Sequence, residues 1–258
     1  MFDLNLNELI HYLHYVRPEY VWIINLIICY ISIFILFRFW QKFGLYLYIS
    51  IAIIACNLQV LKAVEFSWYN EPVALGTVTF ASIFLANDML TEIYGPQSAK
   101  KAVYLSFGAI ILLLVLMMPA LGLKPLSNNL NEDTKHFNEA HNALMLIFSP
   151  SLSILVASLF AYCISQLSDI LIFAKLKKLT KNSHLWLRSF TSIAIAAMLD
   201  SVLFNLFAWK ILAHNEVDWH RLFSTYITGA YIIQVTVAII NIPVFYLFLK
   251  FNKKSYVS

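Results

Sequence analysis

The sequence predicts an all-α protein, a polytopic bundle of membrane helices. Three observations carry this. Of 258 residues, 60% are hydrophobic and only 12% charged, about half the charge of a soluble domain. The apolar residues gather into runs of the roughly 20-residue length a helix needs to cross a bilayer. The basic residues collect in alternate connections between those runs. No alternating apolar–polar pattern suggests a membrane barrel.

Seven spans are expected, at 20–40, 44–65, 73–94, 100–122, 143–174, 187–212 and 226–250. The first is too long and aromatic for a cleaved signal peptide, and no small-residue cleavage site follows it. The second carries Asn57 and Gln59, with Lys62 near its end, placed to snorkel outward. Gly95-Pro96 ends the third, and Lys100-Lys101 opens the fourth. The loop 123–142 is the longest and rich in turn residues. His136 and His141 sit there in a helical segment and read as solvated. The fifth run is longer than a bilayer requires, so it should tilt or extend beyond it. His184 to Arg188 read as a basic, aromatic interface anchor. The seventh run holds Gln234, Asn241 and Pro243. Its amides read as helix–helix glue and its proline as a kink.

Charge orients the spans. Arg38, Lys42, Lys100, Lys101, Lys175, Lys177, Lys178, Lys181, Arg188, Lys250, Lys253 and Lys254 fall on one side, twelve of the 18 Lys and Arg. That side has no acid in its loops. Asp3, Glu8, Glu19, Glu65, Glu71, Glu132, Asp133, Glu139, Glu216 and Asp218 all fall on the other. The Lys/Arg excess marks the cytoplasmic side. The N-terminus is then outside and the C-terminus inside.

Four carboxylates remain, and all lie in or at the end of apolar runs: Asp88, Glu92, Asp169 and Asp200. A charge at the bilayer centre costs roughly 2.5–3.5 kcal/mol on insertion scales, so such residues usually face a bundle interior and mark a substrate or ion path. Asp88 and Glu92 are four apart and share one helix face. Gln166 and Asp169, three apart, share another. Asp200 lies mid-span, with Asn205 one turn beyond. The candidate binding set is therefore Asn57, Asp88, Glu92, Gln166, Asp169, Asp200 and Asn205. Asp88 and Asp169 are expected to face a ligand, and Asp200, the deepest, to carry a proton.

Other classes find little support. Almost every residue belongs to a span or a short connection, which leaves no room for a soluble catalytic domain. No P-loop occurs, no metal-type Cys/His spacing exists, and no cofactor is expected. Cys29, Cys56 and Cys163 lie in apolar runs and read as packing residues. The net charge of +4 follows from loop placement and is no nucleic-acid signal. An enzyme is not expected. The enzymatic rival is an intramembrane aspartyl hydrolase using Asp169 and Asp200 as a dyad sharing a proton, but Asp200 follows Leu199 without a Gly-x-Gly-Asp motif.

Several motifs resemble the queuosine-precursor transporter family, also called the vitamin uptake transporter family. They are Asn57 in the second span, FLANDMLTEIYG with AKK after it, ISQLSDILIFAKLKK leading to LWLRS, and Asp200-Ser201 with Phe204. Order and spacing agree from about residue 45 to 250. The resemblance implies a six-span core at 43–258, with 1–42 contributing one additional N-terminal span. It implies a fold similar to the substrate-binding subunits of energy-coupling-factor transporters. It also implies uptake of 7-deazaguanine bases, the queuosine precursors, across a bacterial inner membrane. The partners implied are that small molecule, the lipid bilayer, and either a second copy or an energy-coupling module. An alternative is a binding subunit for another vitamin-like ligand that borrows an external ATPase. The ligand suits the residues: a ring N–H beside an exocyclic amine can donate both protons to one carboxylate, and aromatic side chains offer stacking surfaces.

Overall fold

The computed structural model describes residues 6–67, 69–126, 135–148, 152–212 and 217–255. Asp3, Glu132, Asp133 and Glu216 of the acidic set lie outside these.

A short amphipathic helix, α1 (Leu6–Tyr15), precedes α2 (Pro18–Gln59). Pro18 starts α2, where its missing N–H costs nothing. The helix is interrupted at Gln41, whose backbone stands at φ 49°, ψ −123°. The chain folds back there. Asn25, in the first leg, donates to Thr79 Oγ1 at 3.3 Å, and Thr79 donates to Gln59, near the end of the second leg, at 2.7 Å. The legs therefore run side by side. Their closest approach requires Gly44, since a Cβ there would lie 2.0 Å from the Leu36 carbonyl oxygen. The boundary expected between spans at 40–44 thus coincides with the break.

The second leg ends sooner than expected. Residues 63–74 form an antiparallel hairpin instead, β1 (Ala63–Phe66) and β2 (Tyr69–Ala74), pairing Ala63 with Ala74 and Val64 with Val73. The expected spans 44–65 and 73–94 include the two ends of this hairpin and leave 66–72 as a connection. A hydrophobic run so short cannot be assigned to helix or strand by periodicity alone. Lys62 consequently lies in an exposed turn, where its carbonyl accepts from Leu75 N–H at 2.9 Å.

The centre of the bundle is α3 (Gly76–Tyr94), buried continuously from Gly76 to Thr91. It touches α2, α4, α6, α7 and α9. This enclosure explains its polar composition: Thr79, Ser82, Asn87, Asp88 and Thr91 are shielded from lipid by other helices. Gly95, at φ 83°, ends α3, and Pro96 opens α4 (Pro96–Gly122). The loop 123–142 contains α5 (Lys135–Phe148), an exposed amphipathic helix that bears His136 and His141. Its end takes the first residues of the expected fifth span, which begins instead as α6 (Leu152–Leu179). Then follow α7 (Leu185–Leu206), a π-helical turn at Phe207–Ile211, the short α8 (Trp219–Arg221), a second π-helical turn at Leu222–Ile227, and α9 (Thr228–Ser255).

Among the described residues, five helical stretches are long and apolar enough to cross a membrane: Pro18–Gln59, Pro96–Gly122, Ile154–Leu179, Leu185–Ile211 and Trp219–Phe251. The seven expected runs differ from these for two reasons. Two of them are the legs of α2, and one is α3, too polar to qualify by hydropathy although it sits at the core. Large apolar side chains stay exposed on the first leg of α2 and on α4, including Ile24, Ile28, Ile31, Leu112, Leu116 and Met118. In a multi-pass membrane protein these face lipid. The interior is tied by polar pairs between helices, among them Tyr48 with Ser82 and Ser106 with Tyr162, each at 2.5 Å.

Candidate functional site

The seven predicted site residues separate into two groups. Asn57, Asp200 and Asn205 line a cavity of about 310 Å³. Asp88, Glu92, Gln166 and Asp169 lie apart from it, in a buried network nearer the basic end of the bundle.

The cavity lies where the second leg of α2, the start of α3, the end of α7, the start of α9, the β-hairpin and both π-helical turns meet. All of these are at the end of the bundle opposite the basic loops. Its floor is Asp200. Gln234 Nε2 donates to one carboxylate oxygen at 3.2 Å and Ser165 Oγ approaches the other at 3.5 Å. The amides around it are oriented by backbone carbonyls, which can only accept. Asn57 Nδ2 donates to the Ile53 carbonyl at 2.8 Å, and Asn205 Nδ2 to the Ser201 carbonyl at 2.7 Å. Each amide oxygen is thereby left for another donor. Gln234 Oε1 and Ser201 Oγ have no hydrogen-bond partner. The available polar groups are thus mostly acceptors: a carboxylate, three amide oxygens and a hydroxyl.

The rest of the lining is apolar and aromatic. Phe80, Phe204, Trp209 and Tyr226 contribute rings, and the last two lie 5.4 Å apart between centroids. Trp209 and Tyr226 come from the two π-helical turns, a feature often found at functional sites. A chamber of this size with aromatic walls and a few convergent polar groups suits a small planar ligand rich in N–H donors.

The second group is built by α3, α6 and α7. Asn87 Nδ2 donates to Gln166 Oε1 at 2.6 Å, and Ser189 Oγ donates to Asp88 Oδ2 at 2.5 Å. Asp169 is the principal charged neighbour of Asp88. Ser192 lies beside Asp169 but donates its single proton to the Ser189 carbonyl at 3.2 Å, so both Asp169 oxygens lack a donor. Toward the basic end, Glu92 binds Arg188 at 2.7 Å and Lys177 at 3.1 Å. Arg188 is 1% exposed, covers the Phe173 ring at 5.4 Å, and donates to the Ser183 carbonyl at 3.0 Å. The expectation of an interface anchor at 184–188 therefore fails for Arg188. It is a core residue, paired with the half-buried Glu92.

The comparisons with known proteins bear on this arrangement. A sequence profile of the family described as "Putative vitamin uptake transporter" matches residues 74–248, from the end of the hairpin to the end of α9. The chain belongs to this vitamin uptake transporter family. Two relatives agree. A "Probable queuosine precursor transporter" of Bacillus subtilis (strain 168) is 30% identical over 226 residues, 87% of this chain and 92% of the relative. A second protein of the same description, from Haemophilus influenzae, is 28% identical over 142 residues, 54% of this chain and 52% of the relative. No solved structure matches. In this uptake transporter the matched region contains both polar groups except Asn57. Sequence reasoning did not assign the rings of Phe80, Phe204, Trp209 and Tyr226 to the site. It also read Gln234 only as glue and Arg188 as an anchor. A lone amide facing a mid-span acid was the available signal for Gln234. Nothing in the sequence marked which of the many rings lie together.

Proposed function

We propose that this chain takes up 7-deazaguanine precursors of queuosine across a bacterial inner membrane, and that the chamber at Asp200 binds the base. The observation that carries this reading is the acceptor-rich lining. The Asp200 carboxylate can accept from a ring N–H and an exocyclic amine side by side. Gln234, Asn57 and Asn205 offer oxygens to the remaining donors. The rings of Trp209, Tyr226, Phe80 or Phe204 offer stacking, worth roughly 1–3 kcal/mol per base. The relatives' descriptions agree with this substrate class.

In this reading the two legs of α2, together with α3, α4, α6, α7 and α9, all cross the membrane. The basic end is cytoplasmic, the N-terminus is outside and the chamber lies toward the outer leaflet. The span within residues 1–42 is an addition to a six-helix core. Enzymatic use of an Asp169–Asp200 dyad gains nothing from the geometry: Asp200 is held by Gln234 and Ser165, while Asp169 has Asp88 as its charged neighbour.

Binding of a deazaguanine to the purified protein tests the reading. Saturable binding is expected, and Asp200→Asn should weaken it by about 1.5–3 kcal/mol, the worth of a hydrogen bond to a charged group. That is roughly tenfold to a hundredfold in Kd. A folded Asp200→Asn protein that binds with wild-type affinity overturns the assignment of the chamber.

A further inference from the structure

The network of Asn87, Asp88, Gln166 and Asp169 lies outside the chamber and has no role in base binding as proposed. It is also incompletely paired. Among the described residues, Asn87 Oδ1, Asp88 Oδ1 and both Asp169 carboxylate oxygens are buried without a hydrogen-bond partner. All three residues are 0% exposed. Buried polar atoms are nearly always satisfied, and exceptions in a native fold point to an ordered water or an ion. Four oxygens are left over, against two unpartnered donors in the cluster, Gln166 Nε2 and Arg188 Nε. A single shared proton would satisfy two of the four. A cation coordinated by oxygen could satisfy them all.

Charge fixes the valence. The connected cluster holds three carboxylates, Asp88, Asp169 and Glu92, and two bases, Lys177 and Arg188. Glu92 already engages both bases. Asp88 is bonded to a neutral hydroxyl, and Asp169 has no cationic partner in contact. With all three acids ionised, one negative charge is left over. An uncompensated charge buried in a low-dielectric interior is costly, and one positive charge removes the imbalance, whereas a divalent ion would reverse it. The Asn87 amide supplies an observation independent of the acids. It is fully buried, its nitrogen is fixed on Gln166, the residue one turn before Asp169 on α6, and its oxygen is unpartnered.

We propose that α3, α6 and α7 form a binding site for one monovalent metal cation, sodium, ligated by Asn87 Oδ1, Asp88 Oδ1 and the Asp169 carboxylate. The site is separate from the chamber. The helices that carry its ligands, α3 and α6, also carry chamber residues, Thr77 and Phe80 on α3 and Ser158 on α6, so sodium occupancy and base binding act on the same two helices.

The test uses the purified full-length protein, without base, at constant pH and ionic strength, with sodium chloride replaced stepwise by potassium or choline chloride. Sodium should raise the unfolding temperature saturably, because a ligand that binds only the folded state stabilises it. Potassium and choline should not. Asp169→Asn should abolish the response, and Asn87→Ala, which removes one neutral ligand and no charge, should weaken apparent sodium affinity by about tenfold or more. Asp200→Asn should keep the sodium response while losing base affinity, so this proposal and the chamber assignment can fail independently. If Asp169→Asn does not fold, Asn87→Ala decides. Equal stability in sodium, potassium and choline overturns the proposal, as does a sodium response that survives in Asp169→Asn or keeps wild-type affinity in Asn87→Ala. A stability that follows pH alone, indifferent to sodium, assigns the site to a proton and also overturns it.

Discussion

Asp200 and Arg188 mark the limits of reading single residues. A mid-span aspartate is costly enough that its importance is visible in sequence. Its role is not, because a role depends on what faces it. Asp200 is expected to carry a proton and Asp169 to face the ligand; the structure lines the chamber with Asp200 and leaves Asp169 outside it. Arg188 was misplaced because a loop arginine beside a tryptophan resembles an interfacial anchor. Its partner Glu92 is 96 positions earlier, and no local pattern connects them. A buried pair of this kind predicts its own test. Arg188→Met should destabilise the protein by about 1–3 kcal/mol, because it leaves the half-buried Glu92 with Lys177 alone. Glu92→Gln combined with Arg188→Met should cost much less than the sum of the two single changes. Strictly additive losses in thermal or denaturant unfolding would mean the two side chains do not depend on each other.

At the scale of elements, the helices were legible and their interruptions were not. Apolar runs of about 20 residues located α4, α6, α7, α9 and both legs of α2. The π-helical turns left no trace, since they change hydrogen-bond register without changing composition. The hairpin at 63–74 was hidden by the apolar residues around it. It nevertheless matters for the site: Ala63, Pro72, Val73 and Ala74 line the chamber, and Tyr69 anchors the hairpin to the Ser224 carbonyl at 2.8 Å. The turn of α2 carries the clearest element-scale prediction. Any side chain at Gly44 would collide with the Leu36 carbonyl, a backbone atom that cannot rotate away. Gly44→Ala should cost at least the roughly 1–3 kcal/mol of an overpacked core, read as a lower unfolding temperature. Gly108→Ala is the control, because a Cβ there meets nothing within 4 Å. Equal behaviour of the two variants would contradict the close approach of the legs.

At the scale of the whole molecule, the two ends of the bundle differ in chemistry. One end gathers the break at Gln41, the junction of α3 with α4, the junction of α6 with α7 and the end of α9, and with them twelve of the 18 Lys and Arg. The other gathers the hairpin, α5, α8 and the chamber. This segregation was visible in sequence, because loop charge needs only the order of the spans. The enclosure of α3 was not, since it requires knowing which helices surround it. The asymmetry predicts how the protein sits in the membrane. With Cys29, Cys56 and Cys163 replaced, a single cysteine at Asn138, on exposed α5, should react with a membrane-impermeant thiol reagent added to intact cells. One at Lys178, exposed at the end of α6, should react only after the membrane is opened. The positive-inside rule gives this direction. The reverse pattern would place the chamber at the cytoplasmic face, and base would then enter it from inside. Labelling of both positions from one side would mean that the legs of α2, α3 and the later helices do not all cross, which would remove the topology on which the uptake direction rests.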